Sequence, residues 1–62
     1  MNLATFLEVV DGLEEIKIKN YATLKPVYEG KKYKIYKAKD IDFDAKVTVI
    51  YTVAGKINIE IE

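Results

Sequence analysis

The sequence predicts a small α+β domain in which an N-terminal amphipathic helix, at about residues 2–12, packs on a four- to five-stranded antiparallel sheet or a small curled barrel. Apolar residues recur at helical spacing only near the N-terminus, and later segments alternate apolar and polar residues as strands do. A chain of 62 residues has room for one domain, which we assign to residues 1–62.

The helix is predicted by the segment NLATFLEVVDG. Counting from Leu3, its apolar residues fall at positions i, i+3, i+4 and i+7, which lie on one helical face. Asn2 is positioned to cap the first turn, and Gly12 suits the left-handed residue that ends many helices. Because a helix of about ten residues is not stable alone in water, this apolar face is expected to dock on the sheet.

The middle of the chain predicts shorter strands. Ile16 and Ile18 alternate with lysines, which is typical of a strand with one buried face. Pro26 has no N–H to donate, so the segment around it is an edge strand, a strand start or a loop. The pair at 29–30, Glu followed by Gly, indicates a turn before a further strand at 31–39.

Residues 46–62 predict a C-terminal β-hairpin. A three-residue loop at 53–55 would put Gly55 in a left-handed position and pair Val47 with Ile61, Val49 with Ile59 and Tyr51 with Ile57. A two-residue loop would set the isoleucines opposite polar residues. The uncharged run VTVIYTV would be an aggregation hazard at a sheet edge, so we expect it to lie centrally.

The composition argues against catalysis. Ser, Cys and His are absent, which removes the usual nucleophiles, the usual general base and the common zinc ligands. Asp40, Asp42 and Asp44 have the spacing of the first ligands of a calcium loop, but Ala45 stands where that loop needs Gly. We therefore predict no catalytic residue, no metal, no cofactor and no small-molecule substrate.

The chain also lacks the signals of a membrane or exported protein. No basic segment precedes an apolar run near the N-terminus, and no run approaches the ~20 apolar residues of a membrane span. We therefore expect a cytoplasmic protein without a membrane partner. A high content of charged residues without Cys or Gln is typical of heat-adapted proteins.

Acidic and basic residues are concentrated in different parts of the sequence, although the formal net charge of the chain is zero. Residues 1–16 contain four acids and no lysine, residues 17–39 eight lysines and one acid, and residues 40–62 five acids and two lysines. The stretch KKYKIYKAK, residues 31–39, contains five of these lysines and no acid. Read as a strand, it directs Lys32, Lys34 and Tyr36 to one face.

Three interpretations of this stretch follow. Lys32, Lys34 and Tyr36 could bind nucleic acid, because lysines neutralise phosphates and an exposed ring stacks on bases. Alternatively, the lysines form a solvated strand face that is paired with acids of neighbouring strands. In the third, the lysine strand or the Pro26 strand is a free edge for a protein partner, because a core this small gains from further burial. The leading hypothesis is a non-enzymatic protein-protein interaction module that self-associates or belongs to a larger assembly, with nucleic-acid binding as the alternative.

Overall fold

The structure, a computed structural model, describes residues 1–62 as one short helix, four strands and one 3-10 helix. Helix α1 spans Leu3–Leu7 and the 3-10 helix spans Lys32–Lys37, while the strands are β1 (Glu15–Asn20), β2 (Pro26–Lys31), β3 (Val47–Val53) and β4 (Lys56–Ile61). The strands form one open sheet in the order β2-β1-β4-β3. The predicted α+β class is confirmed, and the sheet is not closed into a barrel.

The sheet is mixed, so the prediction of an antiparallel sheet is wrong for its central pair. β1 pairs with β2 and β3 with β4 antiparallel, but β1 and β4 are parallel. Residues 32–46 return the chain along the sheet between β2 and β3, which is the kind of long connection that a parallel arrangement requires. The alternation of apolar and polar residues along a strand shows which face is buried. It does not show whether a neighbouring strand runs parallel or antiparallel.

Helix α1 is much shorter than the predicted range of about 2–12. Asn2 caps it as predicted, because its side-chain oxygen accepts a hydrogen bond of 2.9 Å from the backbone N–H of Thr5. The regular helix ends at Leu7, and tighter turns carry the chain through Val9 and Val10, whose branched side chains disfavour further helix. Gly12 does not have a positive φ, so its predicted role as a left-handed helix end is wrong.

The core lies between one face of the sheet and the segments that cover it. It consists of eight buried apolar residues from α1, the chain after it, β1, β4 and the loop before β3: Leu3, Leu7, Val10, Ile16, Ile18, Ala45, Ile59 and Ile61. Ile35 of the 3-10 helix and Ile41 pack against this cluster, so the connection between β2 and β3 covers the same face as α1. The opposite face of the sheet has no covering layer.

The C-terminal hairpin is present, but its loop differs from the prediction. Val53 pairs with Lys56, and Ala54 and Gly55 form a two-residue turn with φ angles of 52° and 78°. Two successive positive φ angles are the mark of a type I′ turn, whose twist matches that of the strands it joins. The predicted three-residue loop is therefore wrong.

The two-residue turn gives β3 and β4 a different register from the predicted one. Ile57 lies opposite Thr52 and Ile59 opposite Ile50, so the predicted pairs of these isoleucines with Tyr51 and Val49 are wrong. A register shift between Val47 and Val49 then restores the predicted pair of Val47 with Ile61. One extra residue in the bulge compensates for the residue lost from the loop.

The position of the VTVIYTV run is also different from the prediction. This run is β3, and β3 is an edge strand rather than a central one. β2 forms the other edge, which agrees with the interpretation of the Pro26 segment as an edge strand. The two edges are therefore made of very different residues.

Candidate interaction surfaces

Charged side chains on the uncovered face of the sheet are paired across strands. Lys56 Nζ lies 2.7 Å from Glu29 Oε2 and 4.0 Å from Glu15 Oε2. Lys31 Nζ lies 3.9 Å from Glu15 Oε1. Hydrogen bonding with Lys56, aided by its charge, lowers the pKa of Glu29 and correspondingly raises the pKa of Lys56. This face is a solvated network of ion pairs.

A second group of polar contacts joins β1, β4 and β3 on the same face. Lys19 Nζ lies 3.8 Å from Glu60 Oε2 and 5.6 Å from the centroid of the Tyr51 ring. The Tyr51 hydroxyl donates to Glu60 Oε2 at 3.3 Å. The interpretation of lysines as a paired strand face thus applies to sheet lysines, but it does not extend to the lysines of 32–39.

The stretch 31–39 is not a strand, and the geometry predicted for its candidate residues is wrong. Lys31 ends β2, and Lys32–Lys37 form the 3-10 helix, in which residues three apart lie above one another. Lys32, Lys34 and Tyr36 therefore fall on three different rows of this helix instead of one face. Lys32 is half-buried, whereas Lys34 and Tyr36 are exposed.

The 3-10 helix instead brings together two other pairs. Tyr33 and Tyr36 form one exposed row, and Lys34 and Lys37 form the next. Ile35 lies on the remaining row and packs against the core. The signal for this arrangement is a period of three in the sequence, KYK followed by IYK, which a search for strand alternation misses.

The backbone of β3 is largely unpaired on its outer side. Residues 1–3 bond to residues 45–47 at its beginning, through an isolated bridge of Asn2 with Lys46 and the bond from Val47 N–H to the Met1 carbonyl. Beyond that point, residues 48–53 form no backbone hydrogen bond outside the strand ladder. Because the two-residue loop makes Val53 and Lys56 a bonded pair, alternation turns the N–H and C=O groups of Ile50 and Thr52 away from β4.

The β2 edge has protections that β3 lacks. Pro26 provides no donor, the pairing with β1 shifts register after Ile18, and Glu29 and Lys31 carry charges along the strand. β3 contains no charged residue and no proline. The β3 edge therefore lacks the proline and the charges that hinder edge-to-edge association at β2.

Apolar surface continues from β3 towards α1. Ile50 is 42% exposed and Val53 56% exposed on the strand, and Val9 after the helix is 80% exposed. Val9 and Thr52 both line an open cleft of about 520 Å³, whose lining also includes two acids, Asp11 and Glu14. The unpaired edge is therefore bordered by exposed apolar side chains, with two acids in the adjoining cleft.

Comparison with protein-family models, with curated proteins and with solved structures finds no match to this chain. None of its helices has the length and apolar character needed to cross a membrane. No three acidic side chains lie close enough together to hold a metal ion.

Proposed function

We propose that this protein is a non-enzymatic interaction module that associates with a second copy of itself along the β3 edge. The observation that carries the proposal is the contrast between the two edges. Proline, charged side chains and irregular pairing hinder the addition of a strand at β2, whereas β3 contains neither proline nor a charged residue. An uncharged edge suits an identical partner, because two copies meet without opposing like charges. An edge of this composition left unpaired would be an aggregation hazard.

The orientation of the backbone groups suggests the register of this association. With a two-fold axis at Tyr51, Ile50 of one copy would lie opposite Thr52 of the other, and both pairs would exchange backbone hydrogen bonds. On the uncovered face, Val49 would lie opposite Val53 of the second copy. Apolar cross-strand pairs of this kind contribute roughly 0.2–1 kcal/mol each.

The amount of buried surface supports a role for the neighbouring apolar residues as well. A standard interface removes about 800 Å² from each partner, which is roughly a fifth of the 4160 Å² surface of this chain. A few residues of edge pairing do not supply that area. Val9, Ile50 and Val53 border the edge and would add apolar area to it. With only eight buried apolar residues in the core, the domain gains stability from this burial.

Sedimentation equilibrium from micromolar to millimolar concentration tests the proposal. The native chain is expected to form a reversible dimer, and Thr52→Lys is expected to shift it to monomer because the charge would lie in the centre of the paired edge. Thr48→Lys is the matched control: the same change on the same strand, at the bulged end of β3 that adjoins residues 1–3. A monomer at every concentration, or equal effects of both variants, would contradict the proposal.

A further inference from the structure

The 3-10 helix presents a second surface, which shares no residue with the proposed dimer edge. It follows β2, which lies at the opposite side of the sheet from β3. Its Tyr33 and Tyr36 side chains are 51% and 74% exposed. Two such tyrosines one above the other, beside a row of lysines, are not explained by the packing of the core or by the ion pairs of the sheet.

The tyrosines and lysines are held in a defined arrangement. The backbone N–H of Lys32 bonds to the Glu14 carbonyl and that of Tyr33 to the Gly12 carbonyl, each at 2.9 Å. Ile35 fixes the inner side of the helix against the core. Residues three apart in a 3-10 helix are separated by about 6 Å along its axis, so both rows have the same spacing.

The charges of this surface are not neutralised within the chain. Lys34 and Lys37 form no ion pair within 4.0 Å, in contrast with Lys19, Lys31 and Lys56 of the sheet. Lys34 Nζ lies 5.6 Å from the centroid of the Tyr33 ring, so charge and aromatic face are adjacent. The surface therefore combines the exposed rings of Tyr33 and Tyr36 with two lysines that have no acidic partner, one of which lies over the Tyr33 ring.

We propose that Tyr33, Tyr36, Lys34 and Lys37 form a contact surface for single-stranded nucleic acid. The tyrosines stack on unpaired bases, and the lysines neutralise the phosphates that connect them. Duplexes are the poorer ligands because their bases are already stacked inside the helix. The surface is independent of the β3 edge, so this proposal does not rest on self-association.

Fluorescence anisotropy with a labelled mixed-sequence single strand of about 15 nucleotides tests this proposal, a length within the range that one small domain covers. Tyr36→Leu keeps an apolar side chain but removes the aromatic face, and it is expected to weaken binding roughly five- to 150-fold. Tyr21→Leu, at a tyrosine that is 47% exposed in the loop after β1, is the matched control and is expected to change nothing.

The salt dependence tests the role of the lysines. Lys34→Gln with Lys37→Gln is expected to reduce the slope of log K against log salt by about 1.4, since each phosphate contact contributes about 0.7 on a single strand. Lys25→Gln with Lys46→Gln removes the same charge from exposed positions elsewhere and is expected to leave the slope close to that of the native chain.

Two further ligands complete the test. A duplex of the same sequence is expected to bind more weakly than the single strand. Heparin, which has negative charge but no bases, is expected to bind without any dependence on Tyr36. Absence of binding at 50 mM salt, equal affinity for the duplex, or single-strand binding that is unaffected by Tyr36→Leu would overturn the proposal.

Discussion

Replacing Ala54 with glycine is expected to stabilise the protein, because Ala54 has a φ of 52° in the hairpin turn. A residue with a side chain loses about 1–2 kcal/mol in the left-handed region. Glycine relieves this strain but gives the unfolded chain more freedom, which costs about 0.4–1 kcal/mol. The net expectation is a gain of roughly 0.5–1 kcal/mol in the free energy of unfolding.

The same substitution at Ala38 provides the control. Ala38 has φ −78° and ψ 135°, an ordinary extended conformation, so glycine there brings only the entropic cost of about 0.4–1 kcal/mol. Ala54→Gly should therefore be more stable than the native chain and Ala38→Gly less stable. The free energies of unfolding of the two variants should differ by about 1–2 kcal/mol. Urea denaturation followed by circular dichroism, at one protein concentration, measures this difference. A loss of stability in Ala54→Gly that equals the loss in Ala38→Gly would refute the left-handed turn and the register that depends on it.

Two other predictions concern β2 and the network on the uncovered face. Gly30→Ala is expected to lose about 1–3 kcal/mol of stability, because Gly30 has φ 151° and a Cβ there would lie 3.0 Å from the Tyr28 hydroxyl. Stability should also fall as acid protonates Glu29, because its hydrogen bond with Lys56 lowers the pKa of this carboxyl in the folded protein. The stabilisation by Glu29 is fully present above the ordinary pKa of about 4.3, and it is lost as the pH falls through the lower pKa of the folded state.

Each of these predictions has a control within the chain. Gly12→Ala, where φ is not positive and the nearest contact is an ordinary 3.4 Å, should be less harmful than Gly30→Ala in thermal unfolding. For the network, the difference in urea midpoint between the native chain and Glu29→Gln should be largest near neutral pH and vanish in strong acid. A difference that does not change with pH would mean that the Glu29 carboxylate has no stabilising partner.

Local signals in the sequence predicted several elements correctly. The Asn2 cap follows from side-chain chemistry. The missing N–H of Pro26 left an edge strand, a strand start or a loop open, and Pro26 begins an edge strand. The alternation of Ile16 and Ile18 identified the buried face of β1. These features depend on interactions within a few residues, where composition and spacing are sufficient.

Other elements depend on distant parts of the chain. The parallel pair of β1 with β4 arises from how residues 32–46 cross the core, and no local pattern encodes it. The hairpin loop differs from the prediction because Ala54 adopts a conformation that alanine disfavours, and the register of the hairpin and its bulge hold it there. Both errors come from tertiary constraints that override local preference.

The candidate site illustrates a different kind of error. The basic, aromatic character of 31–39 was identified from the sequence, and Lys34 and Tyr36 are exposed. Their arrangement was wrong because the segment has a period of three instead of two. In a strand, Tyr33 would lie on the face opposite Lys32, Lys34 and Tyr36, whereas in the 3-10 helix it is 51% exposed in the same row as Tyr36. Lys34 and Lys37 are exposed and free of ion pairs, but they lie on a 3-10 helix and not on a strand.

Hydrogen exchange on β3 at low and high protein concentration tests the central claim most directly. The amides of Ile50 and Thr52 point away from β4 and have no partner within one chain. Pairing of two copies along this edge predicts that both amides exchange rapidly in dilute solution and become protected as concentration rises. Rapid exchange at every concentration, with Tyr51 protected throughout by its pairing with Asn58, would contradict the proposed association.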